Sequence, residues 1–316
     1  MYEKVLIMQN ISEILQSEFN KINAKFKTVT ITHLPELQTE LLTWLHDGLI
    51  SKKFYEQNYG QFIFNPPSTL PDAHSVIIIG IPQKITRIEF FHNNIRYETV
   101  IPPTYRFSQI RATCKEILTT VLGSKGYAVE RAILPMKLLA VKSGLGKYGR
   151  NNICYVNGLG SYTRLEAFYT NYSFSTDNWG EKQLMKACTS CTLCRQACPT
   201  HCIPDDRILI HADQCLTYFN ENLGEFPASV LPDSHNALIG CMHCQTVCPQ
   251  NKKHFTYEPV TITFTEEETA CLLENLPREN LPENLTKKLK NIDMYDDYPE
   301  LSRNLTVLIK KEQSGK

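Results

Sequence analysis

No stretch of this chain approaches the ~20 consecutive apolar residues that a membrane-spanning helix needs. Net charge is missing too: Lys+Arg and Asp+Glu each number 33. No global field therefore favours nucleic acid or an anionic membrane surface. The opening run MYEKVLIMQNISEILQSEFNKI is charged and helix-like, without the apolar core and small-residue cleavage site of an export signal. These absences predict a soluble, cytoplasmic protein with neither membrane nor DNA among its partners. At 316 residues it has room for two domains or one sizeable core. With no export signal, a disulfide framework is a poor use for twelve cysteines, because cytosolic thiols stay reduced.

What is present is a concentration of those cysteines: nine of the twelve lie between residues 188 and 248. Cys188, Cys191, Cys194 and Cys198, followed by Pro199, spell C-x2-C-x2-C-x3-C-P, the ferredoxin-type run for iron–sulfur clusters. Two residues between thiols let a short loop wrap one face of a cubane and aim backbone N–H groups at the anionic cluster. A second run supplies Cys241, Cys244 and Cys248 with Pro249, but Leu238 stands where its first cysteine belongs. Two 4Fe–4S clusters need eight thiolates and the runs give seven, so the eighth comes from Cys202 or Cys215. Cys202, four residues past Cys198, would have to turn back sharply, which favours Cys215. The expected sets are Cys188, Cys191, Cys194 and Cys248 on one cluster, and Cys198, Cys215, Cys241 and Cys244 on the other. Zinc is the rival metal, but its sites pair two separated two-ligand knuckles. Cys114, Cys154, Cys202 and Cys271 then read as small apolar residues.

Before the cysteines, strand and helix signals alternate. KTVTIT and SVIIIGIP read as buried strands, and between them ELQTELLTWLHDGL carries helical apolar spacing at Leu37, Leu41, Leu42 and Leu45, stopped by Gly48. NNIRYETVIPP reads as a strand after a turn, FSQIRATCKEILTTVLGSKG as an amphipathic helix, YAVERAIL as a strand and PMKLLAVKSG as a helix opened by Pro135. NICYVNGLGSYTRLEAFYT reads as strand–turn–strand. The expected fold is α/β (α+β) with a mixed sheet over residues 1–178. A ferredoxin-like double-cluster domain over 179–255 and a short helical C-terminal segment over 256–316 follow.

Two further features bear on ligands. SGLGKYGRNN, residues 143–152, sets three glycines and two asparagines around Lys147 and Arg150. Glycines let a backbone approach a ligand, and Asn and Lys supply donors; a helix cap followed by a turn explains the same letters. It is not a phosphate-binding P-loop, which needs Lys-Ser/Thr after its last glycine. Residues 104–164 hold ten Lys/Arg against Glu116 and Glu130, a local excess of +8. That excess suits an anionic ligand or partner, or a solvated basic face. Residues 256–316 carry eight Lys/Arg and twelve Asp/Glu, a net −4 that phosphate would repel, so this tail packs on the body or meets a protein.

With these motifs in view, the chain resembles the epoxyqueuosine reductase family, cobalamin-dependent iron–sulfur proteins related to reductive dehalogenases. The likeness rests on SGLGKYGRNN with GSYTRLEAFYTN after it, CTSCTLCRQACPT, CLTYFNE and GCMHCQTVCPQNK. It implies a corrinoid-binding α/β domain fused to a ferredoxin-like dicluster module. Cobalamin would be held near the glycine-rich segment by Lys137, Gly144, Leu145, Gly146, Lys147, Tyr148, Gly149, Arg150, Asn151 and Asn152. It also supports Cys215 as the eighth ligand. The cobalt-binding D-x-H-x-x-G signature is absent; DAHSVIIIG and DSHNALIG begin like it but miss the glycine, so His74 and His235 read as capping or surface residues. Two departures stand out. Family reductases use an aspartate before the helix that leads into the glycine-rich loop, whereas the run 125–150 here contains no aspartate and Glu130 is its one acid. Longer relatives also carry C-terminal helical repeats that help hold tRNA, and this tail is short and acidic.

The resulting expectation is an oxidoreductase, a cobalamin-dependent reductase taking electrons from an external donor such as ferredoxin or flavodoxin. Its proton donor would be Glu130, and its substrate an anionic small molecule or tRNA. The alternative is a dicluster electron-transfer protein that serves or reactivates another corrinoid protein and turns over no substrate.

Overall fold

The computed structural model describes residues 2–314, and the chain divides into two compact units, each made of two stretches of chain. One comprises Met1–Pro82 and Ser108–Cys191, the other Gln83–Phe107 and Thr192–Lys316. Neither 178 nor 255 is a boundary of these units: residues 83–107 go with the second, as does the whole C-terminal segment. In chain order the elements begin with α1 (Tyr2–Lys21), β1 (Lys25–Thr30), α2 (Leu34–His46), α3 (Lys52–Asn58), β2 (Ser75–Pro82), β3 (Thr86–His92), β4 (Ile95–Ile101) and α4 (Ser108–Gly123). There follow β5 (Val129–Arg131), α5 (Met136–Lys142), β6 (Gly146–Tyr148), β7 (Cys154–Val156) and β8 (Thr163–Thr170). The short helices α6 (Leu193–Gln196), α7 (Leu216–Glu221) and α8 (His243–Thr246) come next, then β9 (Ile262–Phe264), α9 (Glu266–Leu273), α10 (Glu283–Asn291) and α11 (Tyr298–Ser314).

The first unit is organised on a four-stranded sheet of order β1-β2-β8-β5. Every pairing in it is antiparallel, which corrects the mixed sheet expected from the alternation of elements. The reason lies in the connection. Thr30 at the end of β1 faces Ser75 at the start of β2, and two helices between them, α2 and α3, carry the chain away and back to the same end. A single crossover helix would have made the pair parallel. On one side the core joins Ile11, Leu15 and Phe19, one turn apart along α1, with Ile77, Ile79 and Phe168 of the sheet and Cys114 and Leu118 of α4. Along α2 the buried stripe is Leu34, Leu37, Leu41 and Trp44, while Leu42 is 47 % exposed. The larger Trp44 ring takes the core position that periodicity alone gave to a leucine.

The second unit holds the mixed pairing. β3 and β4 form a hairpin closed by Asn93 and Asn94, both with positive φ (53° and 59°), as a two-residue turn between right-twisted strands requires. β9 adds parallel to β3 through Ile88↔Ile262 and Phe90↔Phe264. α9 starts with a capping box between Thr265 and Glu268. Ile88, Phe90, Tyr97 and Ile101 of the hairpin share one core with Phe264, Leu272 of α9, Leu285 and Leu289 of α10, and Leu301 and Leu305 of α11. The acidic tail is therefore core structure. Among the described residues no helix is long and apolar enough to cross a membrane.

Candidate functional site

α5 ends at Ser143, and Gly144 follows in the left-handed region (φ +70°), where a side chain would be strained. The chain then runs into the β6–β7 hairpin. A Cβ on Gly146 would stand 2.5 Å from the Cys154 sulfur and 2.7 Å from the Tyr155 carbonyl oxygen, and one on Gly149 would stand 2.5 Å from the Tyr155 ring. These glycines permit close approach of the chain to itself. The outer edge of β6 is also used: the Tyr148 N–H donates to the Gln183 carbonyl (2.8 Å) and the Met185 N–H donates to the Tyr148 carbonyl (2.8 Å). The glycine-rich hairpin thereby fixes the segment that leads directly to Cys188. Arg150 completes the grip. Its guanidinium donates to the carbonyls of Cys188 (2.8 Å), Cys191 (3.0 Å) and Thr189 (3.3 Å).

The other residues of this region divide by exposure. Leu145, Tyr148, Asn151 and Asn152 are buried, whereas Lys137 and Lys147 are exposed. Asn152 has φ +58° and accepts from the Lys137 ammonium at 3.5 Å, and its own Nδ2 is buried with no protein partner. A buried donor without an acceptor costs about 1–3 kcal/mol, so this amide suits a ligand that carries one. Glu130 is half-buried on β5, in register with Tyr169 of β8, on the strand that leads into α5. The basic excess is partly spent internally. Arg111 and Arg164 both bond the buried Glu166 carboxylate (3.0 Å each), and Lys142, 5 % exposed, bonds Glu36 at 2.6 Å with Glu40 at 3.7 Å. Lys115, Lys125, Arg131, Lys137 and Lys147 remain exposed.

Of the cluster cysteines, Cys188 and Cys191 belong to the first unit, and Cys194, Cys198, Cys215, Cys241, Cys244 and Cys248 to the second. In the second unit the helical turns α6 and α8 pack together, which brings the C-x2-C stretches at Cys194 and Cys241–Cys244 into one neighbourhood. Cys194, Cys215 and Cys244 pack against buried Cys198, Cys202 and Ile203. Cys202 is thus in the middle of the expected ligands. The turn that seemed too sharp is made by His201 in the left-handed region (φ +52°), and the Cys202 sulfur returns to 3.5 Å from that of Cys198. Hydrogen bonding with Cys202 holds the Cys198 and Cys215 thiols below the usual thiol range, while Cys202 itself is pushed up. Burial pushes Cys241 up to about 12. These thiols fit a soft, thiophilic metal group; among the described residues none of the His, Cys, Asp and Glu side chains close in threes on a point for a single ion. The signal for Cys202 was in the sequence, as C-P-T-H-C, and only the backbone turn was missing.

The C-terminal helix supports these loops. Asn304 of α11, fully buried, donates to the carbonyls of Asn220 (2.9 Å) and Leu238 (3.0 Å), and Asn220 in turn donates to the Gly240 carbonyl (2.6 Å). Arg303 donates to Phe219 (2.6 Å), Asn222 (2.8 Å) and Gly224 (2.5 Å) carbonyls. α7, which follows Cys215, and the loop before Cys241 are therefore tied to one helix. Gly240 has φ +68° and lies under the Tyr105 ring, which leaves no room for a Cβ. His235, expected to be a capping or surface residue, is 1 % exposed, edge-on to Phe226, and neither ring nitrogen has a protein partner. Burial lowers its pKa to about 4. His74 is exposed, as expected.

Against known proteins, residues 187–251 match the model of the 4Fe-4S double cluster binding domain. An epoxyqueuosine reductase of Cyclobacterium marinum is 28 % identical over 231 residues, 70 % of this chain and 72 % of that protein. Another, of Staphylococcus aureus, is 30 % identical over 227 residues, 69 % of this chain but 58 % of the relative, less than two thirds of its length. In fold, the chain matches the epoxyqueuosine reductase of Streptococcus thermophilus with a TM-score of 0.68 at 19 % identity, covering 95 % of this chain and 81 % of that one. It also matches an epoxyqueuosine reductase solved with an epoxyqueuosine-modified tRNA stem loop, with a TM-score of 0.69 at 20 % identity, over 96 % and 81 %.

Proposed function

We propose that this chain, which is epoxyqueuosine reductase-like in sequence and in fold, is an iron–sulfur oxidoreductase that reduces an anionic substrate of the tRNA class. One observation carries the reading: the glycine-rich hairpin and the first cysteine loop are a single hydrogen-bonded assembly, joined through Tyr148 and Arg150. A segment suited to a redox cofactor and a segment suited to a cluster are thus mutually positioned by the backbone.

In this reading Cys188, Cys191, Cys194 and Cys248 hold one 4Fe–4S cluster, and Cys198, Cys215, Cys241 and Cys244 hold the other. Electrons arrive from an external donor such as ferredoxin or flavodoxin. A corrinoid, when bound, supplies a strongly reducing cobalt centre. The residues that would hold it are the exposed Lys137, Asn152 through its unpartnered Nδ2, and the 144–151 backbone. Glu130 holds the proton for the substrate, on the strand that feeds α5 and the hairpin. The exposed Lys115, Lys125, Arg131 and Lys147 attract an RNA backbone, which makes association salt-dependent. A second reading, a dicluster electron carrier without turnover, draws on the packing reason found for Gly146 and Gly149 and on the missing aspartate.

Anaerobic reconstitution with iron, sulfide and cobalamin separates the two. Corrinoid retained through gel filtration, with a spectrum shifted to the base-off form, supports the reductase. Two clusters without corrinoid uptake would sink it and leave the carrier.

A further inference from the structure

The eight thiols assigned to iron leave one cysteine among them without a task. Cys202 is 1 % exposed, its sulfur lies 3.5 Å from that of Cys198, and Cys215 packs against the same buried group. Nothing about this placement is accidental to the backbone. His201 takes a left-handed conformation to reverse the chain, its N–H donates to the Cys198 carbonyl (3.2 Å), and the Cys202 carbonyl accepts from the His211 N–H (2.8 Å). The thiol is pinned from both sides. The Cys198 sulfur is met by another donor, the Thr200 hydroxyl, at 3.6 Å.

We propose that Cys202 is a fifth thiol of the second iron–sulfur site, one that binds no iron but donates its S–H to the ligand sulfur of Cys198 or Cys215 and so raises that cluster's reduction potential. The inference rests on the assignment of Cys198, Cys215, Cys241 and Cys244 as ligands. A hydrogen bond to a coordinating sulfur withdraws negative charge, and it favours the reduced cluster because that form carries the extra electron. Burial matters as much as distance, since with Cys202 sealed from solvent no water replaces the donor when the thiol is removed. A four-thiol site would be complete without it. The residue tunes the acceptor that an external donor must reduce, so it bears on which donors suffice.

The test compares wild type, Cys202→Val and Cys202→Ser, all reconstituted anaerobically. Iron per chain and the two midpoint potentials are measured in a titration followed by electron paramagnetic resonance. Val fills the same space without a donor, and Ser restores one. The expected result is unchanged iron in both variants, one midpoint moved to more negative potential in Cys202→Val, the other unmoved, and a partial return in Cys202→Ser. Should Cys202→Val not fold, Cys202→Ala removes the donor by truncation and is read the same way. Unchanged midpoints with full iron would overturn the proposal and leave Cys202 a packing residue. Loss of half the iron in Cys202→Val, with Cys215→Ser retaining all of it, would also overturn it by making Cys202 the ligand. A wild type that takes up no cluster would instead overturn the underlying reading of the site.

Discussion

Replacing Arg150 by alanine removes the guanidinium donors that link the glycine-rich hairpin to the carbonyls of the first cysteine loop. Two of the three contacts are short, to Cys188 at 2.8 Å and Cys191 at 3.0 Å, and the third, to Thr189, is 3.3 Å. A hydrogen bond from a charged group contributes about 1.5–3 kcal/mol when well shielded. Arg150 is half-buried, so water recovers part of each bond, and about 1 kcal/mol apiece for the two short ones is a fair working value. The loop that presents Cys188 and Cys191 then loses about 2 kcal/mol of ordering, roughly a 30-fold change in the equilibrium between its ordered and frayed states. Iron should leave the cluster proposed for those thiols roughly 30-fold faster when a chelator is added anaerobically. Lysine at the same place keeps the charge but cannot fork to two carbonyls, and it should recover only part of the difference. The assay is the rate of iron release to a coloured chelator, with the two clusters distinguished by their paramagnetic signals. Equal rates for Arg150→Ala and wild type, or equal acceleration at both clusters, would refute the reasoning, because the contacts touch one loop alone.

On the proposed ligand sets, Cys215→Ser should cut iron from about eight to about four atoms per chain, because the second cluster would lose a thiolate; undiminished iron would remove Cys215 from the ligand set. Glu130→Gln should abolish turnover while corrinoid uptake and both paramagnetic signals persist, and an unchanged rate would take Glu130 out of the site. His235 gives a pH dependence. Burial, with Arg303 and Lys311 nearby, holds it at about 4 in the folded chain against about 6.5 unfolded. The unfolded state therefore binds the extra proton between pH 6.5 and 4, and stability is lost as pH falls through that window, by about 3 kcal/mol. His235→Phe should flatten that slope in denaturant titrations run from pH 7 to pH 4.5, and an identical slope would show that the ring titrates normally.

Local order was legible in the letters to the degree that local physics produces it. SVIIIGIP is β2 because four consecutive β-branched residues suit a strand buried on both faces, and PMKLLAVKSG is α5 with a glycine cap. NNIRYETVIPP is β4, as read. Its sheet could not be read, because β3 finds its parallel partner at Ile262–Phe264, far along the chain. Strand direction in the first unit was likewise hidden in the path of α2 and α3. At the cysteines, spacing named the chemistry, and the double cluster domain match covers the same residues. What spacing omits is turn geometry: His201 supplies a reversal that an average residue disfavours, and Cys202 changes from bystander to neighbour. The helix Tyr298–Ser314 lies within the segment 256–316 that reads as an acidic tail by charge, yet Asn304 and Arg303 anchor the loops around Cys215 and Cys241.

The second unit's interrupted path has a biosynthetic consequence. The β3–β4 hairpin leaves the ribosome with Ile88, Phe90, Tyr97 and Ile101 uncovered, and the residue that pairs with Phe90, Phe264 at the end of β9, comes about 170 residues later. At ~5–20 residues per second the nascent hairpin waits roughly 10–35 s for its cover. During that interval it is a sticky, half-finished ribbon whose free edge invites other chains. Prematurely terminated products that stop before β9 should therefore clump or be degraded.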